Sequence, residues 1–188
     1  MEISDESCLI GGIENWEIVI VDYDSAWPSM YERHAGIIVD ALGATLLRIE
    51  HIGSTSVPGL AAKPIIDILA VVPDSANEPS YLPKLEAAGY FLRVREPDFF
   101  EHRMLRTVAR DVHIHVYSPQ TPEIPRYLKF RDRLRTDVEN RLRYEAVKRR
   151  LAKRSWKDMN EYAQAKSEII ERILQAAMTD DLGTTGVT

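Results

Sequence analysis

The sequence predicts an α/β (α+β) protein: a small mixed sheet flanked by helices, with a C-terminal helical extension. Short apolar and β-branched runs recur at 46–52, 65–72, 90–94, 104–108 and 112–117, each bounded by turn residues. Helical spacing of apolar residues lies before the first run and between the second and third. From Pro125 the strand signal stops and helical spacing continues to Leu174. A length of 188 residues with 45% hydrophobic content suits one domain over 16–178, helical from about 125. The termini, 1–15 and 179–188, are expected to be flexible.

Trp16 to Tyr23 reads as a strand or an extended lead-in. Asp24 or Ser25 is placed to cap the next helix, with Pro28 in its first turn. Trp27, Met30, Tyr31, His34, Ile38, Ala41 and Leu42 form its apolar stripe, and Gly43 ends it. The strand from Leu46 to Ile52 is broken by Gly53. Ile65 to Val72 is nearly continuous apolar sequence interrupted only by Asp67, the pattern of a strand buried on both faces.

After a loop at 73–79, Ser80 is a candidate cap for a helix to Ala88, stopped by Gly89. Tyr90–Val94 reads as a strand, Arg95–His102 as a loop near the site, and Met104–Val108 with Val112–Tyr117 as an antiparallel pair. Beyond Pro125, Tyr127, Leu128, Phe130, Leu134, Leu142, Tyr144, Val147 and Leu151 fit helices. Ser155-Trp-Lys-Asp158 resembles a capping box for a last helix through Leu174.

The single Cys8 allows no internal disulfide, and no apolar run reaches the roughly 18 residues that span a bilayer. The first fifteen residues lack a basic start and an apolar core, so the expectation is a soluble cytoplasmic protein with no membrane partner. A net charge of −5 argues against nonspecific nucleic-acid binding. Residues 126–154, however, hold twelve Lys or Arg against four Asp or Glu. That segment is either a surface for a polyanion or, as is commoner for charge runs, a solvated face pairing with the acidic remainder.

The chemistry is densest between His51 and Val72. His51, Gly53, Ser54, Thr55, Ser56 and Lys63 are candidate phosphate-binding residues, because a Gly-containing turn presents backbone N–H groups that hydroxyls and a lysine extend. Asp67 is the candidate metal ligand, with Mg2+ as the expected ion because magnesium takes few carboxylates and completes its shell with phosphates. The structural alternative is an Asp67 bonded to backbone beside its strand. His113 and His115, at i and i+2, share a strand face. They read as an incomplete zinc pair, as a histidine triad that fails at Tyr117, as a ligand or base for the Asp67 site, or as histidines bonded at a sheet edge. Arg131 with Arg135, and Lys148 and Lys166 each four residues after a tyrosine, are candidate phosphate contacts from helices across a cleft.

The string from His51 to Ile68 resembles the GrpB family signature H-I-G-S-T-[AS]-V-P-G-L-x-x-K-P-x-I-D-I, meeting every specified position. Further matches are His113-Ile-His115-Val, Tyr127 to Arg135, Tyr144-x-x-x-Lys148 and Tyr162-x-x-x-Lys166, so the resemblance covers roughly residues 16–174. It implies a polymerase-beta-like nucleotidyltransferase fold and transfer of a nucleotidyl group from a nucleoside triphosphate to an acceptor. Ser54 and its turn would hold the β- and γ-phosphates. Asp67, helped by His115 or His113 and by Glu101, would hold magnesium. Such enzymes carry Asp-x-Asp on the strand after Gly-Ser, whereas Ile65 and Leu69 stand two residues either side of Asp67. The alternative is therefore a non-catalytic ligand-binding or accessory module on a degenerate scaffold, in keeping with the resemblance to a domain found joined to coenzyme A biosynthesis kinases.

Overall fold

The computed structural model describes residues 8–14, 17–156 and 159–184. Five strands form one mixed sheet among them: β1 (Arg48–Ile52), β2 (Ile66–Val71), β3 (Phe91–Glu96), β4 (His102–Arg106) and β5 (Val112–Tyr117). Their spatial order is β1-β2-β5-β4-β3. The β2–β5 pair is parallel and its neighbours are antiparallel. The helices are α1 (Trp27–Leu42), α2 (Leu82–Ala87), α3 (Glu123–Thr136), α4 (Val138–Ala152), α5 (Met159–Ala165) and α6 (Ser167–Thr184).

The two-residue period of a strand separates the two sides of the sheet. Ile66, Ile68 and Ala70 of β2 and Val112, Ile114 and Val116 of β5 meet Trp27, Ile38 and Leu42 of α1 and Leu85 of α2 in the main core. The other side is apolar only at one end, where Ile52, Leu69, Val71 and Tyr117 pack on Ile124, Tyr127 and Leu128 of α3. Helices α3, α4 and α6 close over the segment after β1, around Val57, Leu60, Leu134, Tyr144 and Ile173. Asp137 ends α3 and caps α4 by accepting from the Asn140 amide at 2.9 Å, so one residue joins the two helices.

Several boundaries move. The lead-in is extended, bridging Val21 to Ala62 and packing Ile18 against Leu151 and Tyr162, while Trp16 lies outside the described residues. Asp24 accepts from the Ala26 amide rather than from inside α1. Ser80 closes a short 3-10 turn and donates to the Asn77 carbonyl, leaving Tyr81 at the start of α2. Strand takes both ends of the stretch 95–102: β3 runs on to Glu96 and β4 begins at His102. Between them is a tight turn in which Phe100 and Glu101 take positive φ. The last helix is broken at Lys166, and Asp158 of the capping box lies outside the described residues.

Residues 8–14 lie against the sheet instead of trailing from it. Leu9 bridges Val94, and the Arg93 guanidinium donates to the carbonyls of Ile10 and Gly12. Glu14 takes two bonds from Arg106, at 2.6 and 2.8 Å. At the other end α6 reaches Thr184, past the expected domain limit. No helix of the described residues is long and apolar enough to cross a membrane.

Candidate functional site

The parallel register pairs Asp67 with His113 and Leu69 with His115, so the carboxylate and both imidazoles project from the side facing α3. His113 Nδ1 is 3.6 Å and His115 Nε2 is 3.7 Å from Asp67 Oδ1. Both histidines therefore face the site, where the sequence left the choice between them open. Burial works to raise the Asp67 carboxyl, but the His115 and His113 imidazoles and Lys63 outweigh it and hold the group below its ordinary range. His113 is pushed down to about 4 by burial, against the pull of Asp67.

Gly53 makes room for this carboxylate. Its φ of 69° and ψ of −174° lie in a region that side chains avoid. A Cβ there would stand 2.9 Å from Cβ and Cγ of Asp67 and closer still to Oδ2.

Behind His115 lies a chain of buried polar groups. Its Nδ1 meets His102 Nε2 at 3.1 Å, and His102 Nδ1 meets Glu96 Oε2 at 2.6 Å. The two imidazoles are nearly coplanar, 9° apart, and His102 and Glu96 are 1% and 4% exposed. Burial drives His102 down to about 4, although the Glu96 carboxylate favours its charged form.

The cluster opens into a cavity of about 300 Å3 lined by Ser54, Lys63, Tyr144, Lys148, Tyr162 and Lys166, among others. Three elements deliver the lysines. Lys148 of α4 donates to Ser54 Oγ at 3.0 Å and to the Ala61 carbonyl, with its Nζ 4.7 Å from the Tyr144 ring centre. Lys63, before β2, and Lys166, between α5 and α6, lie over one Tyr162 ring at 5.1 and 4.7 Å. Burial, then neighbouring lysine charge, lowers Lys148 and Lys166 to about 7. An anion entering the cavity would favour the charged form of both lysines.

Other expected site residues serve the scaffold. His51 pairs opposite Ile68, which turns it to the α1 side, where it stacks on Tyr31 at 4.6 Å and contacts Thr55 Oγ1 at 3.1 Å. Thr55 donates in turn to the Ile65 carbonyl, and Ser56 donates to that of Gly53. Of the three turn hydroxyls it is Ser54 that lines the cavity. Arg131 is bonded to Glu50, Asp132 and the His51 carbonyl, while Arg135 makes two bonds to the Ser56 carbonyl. These arginines fasten α3 to β1 and the turn. Glu101 pairs with Arg103 at 3.0 Å, away from the cavity. Glu96 and His102 are not singled out by the sequence, where their signal is placement either side of a five-residue turn, while Tyr144 and Tyr162 enter only as partners of Lys148 and Lys166.

The donor set of one carboxylate oxygen and two imidazole nitrogens suits magnesium poorly, because that ion takes oxygen ligands in an octahedron. It suits divalent ions that accept nitrogen.

Fold and site together define a mixed-sheet α/β protein with a lysine-lined, aromatic cavity over a His–His–Asp cluster. Residues 17–176 match the family model described as GrpB protein, and the chain belongs to the GrpB family. A UPF0157 protein of Streptomyces coelicolor is 53% identical over 90% of this chain and 89% of its own length. One from Halalkalibacterium halodurans is 50% identical over 87% of this chain and 84% of its own. The crystal structure of the conserved protein GrpB from Enterococcus faecalis superposes with a TM-score of 0.77 at 33% identity, covering 87% of this chain and 99% of that one.

Proposed function

We propose that the cavity binds a phosphate-bearing small molecule, a nucleoside triphosphate first among candidates, with its phosphates against Lys148, Lys166, Lys63 and Ser54. The convergence of three lysines on one cavity, one of them bonded to Ser54, carries this reading. Burying three ammonium groups beside one carboxylate is costly without a counter-anion. The Tyr144 and Tyr162 rings give an apolar or aromatic part of the ligand a place to lie.

Titration calorimetry with ATP, GTP, CTP and UTP tests it. Lys148→Met, close in volume, is expected to weaken binding at least ~10-fold, in line with loss of a charge-assisted bond. Because Lys148 and Lys166 sit near 7, binding at neutral pH takes up protons, and the measured heat will change with the buffer's ionisation enthalpy. Equal affinity in wild type and Lys148→Met sinks the assignment.

Nucleotidyl transfer is the activity the family resemblance implies for this pocket. It requires pyrophosphate release from a bound triphosphate at a rate that collapses in Asp67→Asn. The second reading, a non-catalytic module, is favoured by Leu69: fully buried in the apolar cluster under α3, it occupies a position where the resemblance calls for a second carboxylate. Tight binding with no pyrophosphate release selects it.

A further inference from the structure

We propose that Asp67, His113 and His115 bind a divalent transition-metal ion of the zinc class, and that His102 and Glu96 are positioning residues that aim His115 at it. The inference shares the cavity with the phosphate reading and rests on it only for what would fill the open coordination position.

The spacings carry the first half. At 3.6 and 3.7 Å, Asp67 Oδ1 is too far from either imidazole nitrogen for a hydrogen bond. Ligands held about 2.0–2.1 Å from a tetrahedral ion stand roughly 3.4 Å apart, close to these separations. One donor atom from each of the three residues lies within 4.8 Å of the other two. Three protein ligands with a fourth position toward a cavity is the arrangement of zinc sites that act on a bound molecule rather than staple a fold. The position faces the space lined by Ser54 and the lysines.

The direction of the hydrogen bonds carries the second half. A carboxylate only accepts, so the Glu96 contact at 2.6 Å places a proton on His102 Nδ1. The other nitrogen of that neutral ring, Nε2, is then an acceptor, and the contact at 3.1 Å is donated by His115 Nδ1–H. His115 Nε2 is left with its lone pair directed toward Asp67 and His113, as a metal requires. Carboxylate and imidazole partners behind a ligating histidine orient it and raise its basicity. A purely structural triad would not need the proton on that nitrogen.

The test uses the full-length protein, stripped with a chelator and titrated separately with Zn2+, Co2+ and Mg2+ in the absence of nucleotide. Zn2+ and Co2+ are expected to bind one per chain at least ~100-fold more tightly than Mg2+. Bound Co2+ should show the visible absorption of a site with nitrogen ligands, lost in His113→Ala. His102→Leu should weaken Co2+ about 10–100-fold. His102→Gln, which restores an acceptor for His115 Nδ1–H, should recover most of that, a contrast that a packing role alone would not produce. In the metal-free wild type, nitrogen NMR should find the His115 proton on Nδ1.

Mg2+ binding as tightly as Zn2+, Co2+ binding indifferent to His113→Ala, or a His115 proton on Nε2 would each overturn the proposal. The stripped protein titrated with nucleotide reports on the phosphate reading separately. Loss of metal affinity with retained nucleotide affinity, or the reverse, shows which of the two has failed.

Discussion

Gly53→Ala is expected to destabilise the protein by about 3 kcal/mol or more and to remove ligand binding at the Asp67 face. Its backbone, at φ 69° and ψ −174°, alone imposes roughly 1–3 kcal/mol on a residue with a Cβ. The added carbon also meets the Asp67 side chain at 2.9 Å, with the near carboxylate oxygen closer still. Relief requires Asp67 to rotate or β1 to separate from β2, and either displaces the carboxylate from His113 and His115. Gly59→Ala is the control. Gly59 also has positive φ, 77°, but nothing lies within 4 Å of its added Cβ. It should lose about 1–2 kcal/mol in a urea melt, the backbone cost alone, and keep its ligand affinity. Equal effects of the two substitutions would dispose of the close-approach argument.

Acid is expected to unfold the protein well above the range where carboxylates usually titrate. His51, His102 and His113 are each held down to about 4, chiefly by burial, against 6.5 for an exposed histidine. A folded-state value below the unfolded one means that the unfolded chain takes up protons first. The stability from keeping these rings neutral is therefore whole above about pH 6.5 and lost as pH falls toward 4. Each ring contributes roughly 3 kcal/mol to that loss. Three of them rival the whole stability of a typical domain, about 5–15 kcal/mol. Thermal melts from pH 7.5 to 4.5 should show a steep fall in Tm, shallower in His51→Gln, which removes one titrating ring outside the cavity. A flat profile would mean that the native state accepts these protons.

Val112 and Tyr117, the limits of β5, were legible in the β-branched run that follows the turn residues at 109–111. Asp67 stood out because a carboxylate interrupts an otherwise apolar strand. The shared face of His113 and His115 followed from their spacing. Their meeting with Asp67 did not, since it depends on the parallel register between strands distant in sequence. The same limit hid Glu96 and His102. They are paired across β3 and β4, and until that pairing is known each is one polar residue near a turn. His51 misled because the motif it opens straddles a strand end: it points to one side of the sheet while Gly53 and Ser54 serve the other. Arg131 and Arg135 misled because a guanidinium fork fits main-chain carbonyls as readily as phosphate, and sequence does not distinguish the two.

The single parallel pairing also bears on how the chain folds. Strands β3, β4 and β5 follow one another through short turns, and β1 pairs with β2 across the intervening motif, so each group can assemble from contacts near in sequence. Joining the groups through β2 and β5 closes the long span containing α2, β3 and β4, a step whose entropic penalty comes before its reward. Asp67 stands on one side of that seam and His113 and His115 on the other. The cluster thus comes into being only when the two groups dock, and anything it binds acts as a clasp that slows their separation. Ligand-dependent protection from amide exchange should be greatest along the β2–β5 ladder, so that occupancy of the pocket is written into the lifetime of the native sheet.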